Sequence, residues 1–473
     1  MELKDLTIRE ARKLLDENKA TAVELVAAYM RRAQEKNDEF NAYLEIFDDV
    51  EEQAKRADEM IARGEMKPLT GIPLAIKDNI LIKGCVASAA SKILENYVAS
   101  YDAHVIEKLK EAGAVFLGRA NMDEFAMGSS TENSAYGVSR NPHDTMRIPG
   151  GSSGGPAVTV AGDLAIAALG TDTGGSIRQP AALCGLVGFK PTYGAVSRYG
   201  AIALGSSLDQ IGPLAKSVED AQILFETIRG IDERDSTSLP DTFFKNGDTP
   251  KKIGVPRHFL NEGVDEDVLT AFNESVEKLR VDGHEIVDIE LPNVKYALAA
   301  YYIVMPAEAS TNLARYDGVR YGVAHKGKDL LDDYMQTRGK GFGKESRRRI
   351  LIGTFVLSSG YADAYYRKAT AVREQIREDF RKAFENVDVI ATPTSPTPAF
   401  KIGERASDPL AMYAADIFTV PINMAGVPAI SLPMGKVERD GTRLPIGMQF
   451  IAPHGADSSL FSIGKDFERI IGA

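Results

Sequence analysis

The sequence predicts an α/β protein with a largely parallel sheet, and three observations carry that expectation. Segments with helical apolar spacing alternate with short apolar strands along most of the chain. Between them, Ile148 to Gly188 is rich in small and apolar residues and holds two glycine-rich turns, GGSSGG at 150–155 and TGGSIR at 173–178. The third is size: 473 residues, 44% of them apolar, suffice for a large core.

Taken in order, Thr7-Ile8-Arg9-Glu10 and Thr21-Ala22-Val23-Glu24 match the capping-box pattern and predict two helices. In the second, Ala22, Leu25, Val26, Tyr29 and Ala33 recur at helical spacing. Asn41 to Phe47 reads as a strand and Val50 to Arg63 as a helix. GIPLAIKDNILIKG at 71–84 reads as a buried strand running into a loop. Asp102 to Ala112 reads as a helix stopped by Gly113, before a strand at 114–117. Pro156 to Val160 reads as a buried helix, and Leu164 to Leu169 as a buried strand. The helix stripe Val268, Leu269, Phe272, Val276, Leu279 precedes a strand at Glu285 to Ile289, and Ala369 to Phe384 precedes Val387 to Ala391 in the same way. Ala429 to Pro433 and Ile446 to Ile451 read as two strands joined by a charged turn, KVERDGTR. No internal repeat or low-complexity tract stands out.

Composition narrows the function. A net charge of -11 without a long Lys/Arg block argues against holding nucleic acid by phosphate neutralisation. No window reaches the roughly 18 to 20 apolar residues of a membrane span. The charged N-terminal stretch lacks a signal peptide's apolar run, which places the protein in the cytoplasm. Cys85 and Cys184, with no CxxC and no Cys/His cluster, read as two buried reduced thiols, not a disulfide or zinc site.

The two glycine turns are the chemical centre. Glycine lets backbone N–H groups approach a ligand, and an apolar segment between the turns is foreign to a flexible linker. Gly151 to Gly155 formally fits G-x-S-x-G, centred on Ser153 with His454 as a distant base, but the preceding NPHDTMRIP is a loop where the nucleophile elbow needs a strand. Neither turn is followed by Lys-Ser/Thr, which excludes a Walker loop. Ser275-Val276-Glu277-Lys278 is an SxxK on an ordinary amphipathic helix with no companion motif. None of the six histidines lies in either turn, so the base for a serine nucleophile must come from elsewhere. Lys77 sits within an apolar strand, where it either snorkels to the surface or is buried for a purpose. Burial can lower an ammonium by the three or so pK units, roughly 4 kcal/mol, that a base near neutral pH requires. A chain from Ser176 through Ser152 to Lys77 would then move the proton.

GGSSGG, DTGGSIRQPA with Ser152 and Ser176 24 positions apart, and the upstream GIPLAIKDN resemble the amidase signature family over almost the whole chain. The resemblance implies a mostly parallel mixed sheet covered by helices on both faces. It implies one domain over 1–473, with N-terminal helices to about 65, core motifs at 70–215 and a helical insertion at about 290–385. It assigns Ser176 as nucleophile, Ser152 as bridging serine on a cis peptide and Lys77 as general base, with an oxyanion hole from the N–H groups of Thr173, Gly174, Gly175 and Ser176. Pro156 and the run CVASAASKI at 85–93 depart from the usual pattern, both outside the triad.

Further strings, NMDEFAMGSSTENSAYG at 121–137, SSLDQIGPLAKSVEDAQIL at 206–224, EASTNLARYDGVRYG at 308–322 and DPLAMYAADIFTVPINMAGVPAISLP at 408–433, resemble family members that hydrolyse glutamine within tRNA-dependent amidotransferases. That likeness implies a heterotrimer. Ammonia passes to a B subunit, which uses ATP and Mg²⁺ on Glu-tRNA(Gln) or Asp-tRNA(Asn), while a small C subunit braces the pair. It implies no cofactor or metal in this chain, tRNA contact mainly through the B subunit, and no membrane. Free glutamine carries a carboxylate and an ammonium, so its pocket needs one charge of each sign. The resemblance gives these roles to Arg349 and Asp416, with Tyr301, Gly128 and Ser129 lining the pocket. The alternative is a free-standing amidase of small organic amides with the same triad.

Overall fold

The N-terminal helices form where their caps place them. In the computed structural model, which describes all residues except 1, 2, 5, 246, 248, 261, 262, 407 and 473, Thr7 and Thr21 each close a full capping box ahead of the helices Ile8–Asp16 and Ala22–Phe40. Leu25, Val26, Tyr29 and Ala33 are buried, as their spacing predicts.

Among the described residues eleven strands form one sheet: β1 (Tyr43–Ile46), β2 (Pro73–Lys77), β3 (Val115–Ala120), β4 (Ala167–Asp172), β5 (Val187–Lys190), β6 (Gln210–Ala215), β7 (Lys252–Val255), β8 (Glu285–Asp288), β9 (Val389–Pro393), β10 (Ala429–Arg439) and β11 (Thr442–Ile451). Their order is β1-β3-β2-β4-β6-β5-β10-β11-β9-β7-β8. The sheet is mixed and the fold α/β, as expected, but parallel pairing does not dominate. Four pairs are parallel, β2 with β3 and β4, and β7 with β8 and β9. The other six are antiparallel. Helix-then-strand order identifies crossover units such as β2 to β3 through His104–Glu111, but it does not say which distant strand is inserted beside them.

The C-terminal hairpin is longer than its composition suggests. Arg439 pairs with Thr442, so the expected eight-residue charged turn shrinks to Asp440 and Gly441, both at positive φ (53° and 80°). A two-residue Asp-Gly turn matches the twist of the strands, and the charges of KVER sit on a ribbon that buries only Val437.

One large apolar cluster joins the N-terminal helices to the sheet through Leu25, Tyr29, Ile76, Leu169 and Phe189. A second packs helices between β8 and β9 (Ala297–Asn312, Lys344–Leu357, Lys368–Ala383) against Ile93, Phe125 and Ile390. Cys184 is buried, but Cys85 is only half-buried, because it lies in the loop after β2 instead of in an element. Among the described residues no helix is long and apolar enough to cross a membrane.

Thr21→Ala removes one partner of the second capping box and leaves the Glu24 N–H without its acceptor. It should destabilise the fold by about 1 kcal/mol, measured as a lower urea midpoint at unchanged slope.

Candidate active site

Two neighbouring strands deliver the central residues. β2 and β4 pair in parallel, so Lys77 and Thr171-Asp172 leave the sheet at the same edge, where the TGGSIR turn begins. The GGSSGG turn arrives from the other side and enters the helix Gly154–Ala161. Pro156 occupies that helix's first turn, where no intrahelical N–H is needed. The Gly151–Ser152 peptide is cis.

Lys77 is fully buried. Its Nζ lies 2.8 Å from each of Ser152 Oγ, Ser153 Oγ and Thr171 Oγ1, and 3.3 Å from the Thr171 carbonyl. Burial lowers its pKa from 10.5 to about 7, against the pull of Asp123, Asp172 and Asp209. Near neutral pH the group is therefore shared between ammonium and free amine. Ser176 stands on the adjoining turn, 8% exposed, and its carbonyl accepts the Ser153 N–H at 3.2 Å. No hydrogen bond joins Ser152 Oγ to Ser176 Oγ, so the proton path is closed from Lys77 to Ser152 and open beyond it.

A buried ion pair shapes the TGGSIR turn. The Arg178 guanidinium lies 3.1 Å from Asp172 and also reaches Gln449, the Thr419 carbonyl and Asn423. Although burial raises the Asp172 carboxyl, Arg178 holds it down at about 2. Asp172 also accepts the N–H groups of Gly175 (2.8 Å) and Ile177 (3.2 Å). This modifies the expected oxyanion hole. The Gly175 N–H is already donated, which leaves Thr173, Gly174 and Ser176 with N–H groups that have no acceptor among the described residues. Gly175 has φ 133°, and a side chain there would run into Thr419.

The expected pocket residues gather beside this centre. The Ser129 hydroxyl donates to Asp416 at 2.5 Å. Burial pushes the Asp416 carboxyl up to about 7, although Ser129 and Arg349 act to lower it. Arg349 is 3% exposed, with Nε donating to Glu345 at 2.6 Å and the guanidinium against the rings of Tyr302 (4.8 Å) and Tyr413 (5.1 Å). Its positive charge is thus partly met by Glu345 before any ligand arrives. Ser129, Tyr302, Arg349, Arg405 and Tyr413 line a cavity of about 160 Å³, together with Gly128. Tyr301 stands over Gly174, where an added Cβ would lie 2.8 Å from its hydroxyl. Gly128 packs on Asp123 closely enough that a side chain would collide with that carboxylate.

Sequence reasoning named Ser153 only as the centre of a G-x-S-x-G match that it set aside, and did not single out Thr171, Asp172, Arg178 or Glu345. The first four stand inside or beside the two motifs and could have been taken from them, whereas Asn423 and Gln449 carry no local signal. His454 packs edge-on against Phe243 at 5.1 Å, and Ser275 donates to the Ala271 carbonyl of its own helix, so neither belongs to the site.

A lysine amine on one serine, a second serine on a glycine turn and free N–H groups beside it form the equipment of a serine amidohydrolase. A family model described as Amidase matches residues 24–461, and the chain belongs to that family. Over 99% of its length it is 54% identical to the A subunit of the glutamyl-tRNA(Gln) amidotransferase of Thermoanaerobacter pseudethanolicus, covering 97% of that protein. The crystal structure of the corresponding A subunit from Thermotoga maritima, also of a glutamyl-tRNA(Gln) amidotransferase, superposes with a TM-score of 0.82 at 43% identity, over 99% of this chain and 95% of that one. The native peptide amidase of Stenotrophomonas maltophilia gives 0.81 at 27% identity, over 99% and 98%.

Lys77 binds a proton more weakly folded, at about 7, than unfolded, near 10.5. Between those values the unfolded chain holds more protons, so stability rises with pH. Wild type should therefore gain up to about 4 kcal/mol on Lys77→Met from pH 7 to pH 10, measured by denaturant unfolding at each pH. A difference independent of pH would show that Lys77 keeps its proton in the fold.

Proposed function

We propose that this chain is the glutamine-hydrolysing component of a cytoplasmic tRNA-dependent amidotransferase. Its ammonia passes to a B subunit that uses ATP and Mg²⁺ to amidate Glu-tRNA(Gln), Asp-tRNA(Asn) or both, with a C subunit completing the heterotrimer. The observation that carries the chemistry is the fully buried Lys77 amine, 2.8 Å from Ser152 Oγ. What supports the substrate and the partners is similarity, over nearly full length, to the A subunits of glutamyl-tRNA(Gln) amidotransferases.

In this reading Ser176 Oγ attacks the side-chain amide carbon of glutamine. Its proton moves to Ser152, whose own proton moves to the neutral Lys77 amine. The N–H groups of Thr173, Gly174 and Ser176 receive the oxyanion, each such donor being typically worth about 3 to 4 kcal/mol in the transition state. The proton returns through Ser152 to the departing nitrogen, and ammonia leaves a γ-glutamyl ester on Ser176. Water, deprotonated by the same chain, releases glutamate and restores the hydroxyl. The open step from Ser152 to Ser176 closes when substrate binds, since catalytic hydrogen bonds commonly tighten only in the complex. Arg349 takes the α-carboxylate and Asp416, ionised, the α-ammonium.

The test is ammonia release from L-glutamine against L-asparagine and propionamide. Glutamine selectivity that vanishes in Ser176→Ala supports the reading; faster turnover of propionamide makes the chain a free-standing amidase. Lys77→Ala should lower kcat by about 10²- to 10⁴-fold, and a loss below about tenfold removes the lysine from its role. In wild type, kcat/KM should climb with pH through about 7 as the Lys77 amine and the Asp416 carboxyl lose their protons, and fall at alkaline pH as glutamine loses its α-ammonium proton.

A further inference from the structure

Glu124 belongs to the NMDEF string but takes no part in the proposed chemistry, yet it is buried to within 1%. Its carboxylate accepts the Gly343 N–H at 2.9 and 3.0 Å, the Ser346 hydroxyl at 2.5 Å and the Ser91 hydroxyl at 2.5 Å. Gly343 is the N-cap of the helix Lys344–Leu357 and has no capping side chain of its own. A residue more than 200 positions away therefore acts as the cap, its oxygens accepting at the positive end of the helix, although burial pushes the carboxyl above its usual range. Beside it, Phe125 stacks on Tyr316 and packs on Phe342 at centroid distances of 5.3 and 5.5 Å.

Each end of this contact leads into the site. Ser346 and Arg349 lie three residues apart on one helix face, so fixing Ser346 fixes the turn that carries the guanidinium. On the other side, the N–H of the adjacent Asp123 donates to the Ser152 carbonyl at 3.2 Å, and the same segment continues to Gly128 and Ser129. Glu124 is thus the joint between the serine side of the site and the helix that bears Arg349.

We propose that Glu124 is a positioning residue for substrate selection: by holding the first turn of Lys344–Leu357, it sets where Arg349 meets the carboxylate of the substrate. The inference rests on the reading of Arg349 given above. It predicts a loss confined to substrates that carry that carboxylate.

Gly343→Ala tests it directly. Gly343 has φ −67°, open to any residue, but an added Cβ would lie 2.5 Å from Glu124 Oε2. The variant therefore pushes the helix off the carboxylate without straining the backbone. Three amides separate the contributions: glutamine, glutaramate (carboxylate but no ammonium) and 4-aminobutanamide (ammonium but no carboxylate). They are assayed with the full chain in the complex it copurifies in, or alone where it purifies alone, and read as competitive Ki where turnover is slow. Gly343→Ala should raise KM or Ki for glutamine and glutaramate about tenfold, change kcat less than threefold and leave 4-aminobutanamide within twofold. Adding Glu124→Asp, one methylene shorter, should recover most of the loss. An equal loss on all three amides, a fall in kcat instead of a rise in KM, or no rescue would overturn the role of Glu124. Arg349→Met keeps the two failures apart: if it leaves the KM for glutamine unchanged, the assignment of Arg349 has failed; if it raises KM while Gly343→Ala does not, only the joint has failed.

Discussion

A primary amine with no access to water is the constraint around which the site is built. Lys77 can stay buried only if hydroxyls surround it, and three come from two segments: Ser152 and Ser153 from one glycine-rich turn and Thr171 from the end of β4. That convergence requires β2 and β4 to be neighbours in parallel, and it requires the GGSSGG turn to press against the sheet edge. The small residues between the two turns follow from the same demand, since larger ones would hold the hydroxyls away. Desolvation lowers the amine's proton affinity, and the carboxylates of Asp123, Asp172 and Asp209 limit how far it falls. The balance puts the group near neutrality, where it can both take and return a proton.

The TGGSIR turn is held by a different device. Asp172 and Arg178 form an ion pair with no exposed side chain, and such pairs contribute little net stability because both ions lose their hydration. Their value is geometric. Asp172 accepts two N–H groups of the turn, while Arg178 reaches Thr419 and Asn423, between β9 and β10, and Gln449 in β11. The turn is thereby fixed from below by residues that enter the fold some 240 positions later.

What could be understood from sequence divides along the same line. The capping boxes, the helical stripes and most strand positions are local properties, and the structure has them within a few residues, whereas β5, β6 and β7 were not read as strands. Parallel and antiparallel neighbours depend on which remote strand is inserted beside β4 or β9, and no local pattern encodes that. The Asp-Gly of the last hairpin was a local signal outweighed by the charge of KVER, whose side chains alternate across a ribbon instead of forming a loop. At the site, the meeting of Lys77 with Ser152, next to the turn of Ser176, was legible because each residue stands in a short motif with a chemical reason for its type. Arg349 and Asp416 were reached only through resemblance, and nothing local foretold that Glu345 would occupy part of the guanidinium.

The two halves of the site therefore answer to different rules. In the proposed reading the acyl-transfer half is compact: Lys77 at the end of β2 meets Ser152 and Ser153 of the GGSSGG turn and Thr171 at the end of β4. The residues proposed for recognition, Ser129, Arg349, Tyr413 and Asp416, stand on segments outside the two glycine turns, and side-chain contacts such as Gln179 to the Ser129 carbonyl and Thr419 to the Gly174 carbonyl help join them to the turns. Such contacts can be replaced one at a time while the amine and its hydroxyls stay in place, so one fold can keep its chemistry and change its substrate. For that freedom to coexist with a defined distance between Arg349 and Ser176, some contact must tie the halves together. Glu124 is a buried group with hydrogen bonds on the recognition side and a covalent neighbour on the serine side.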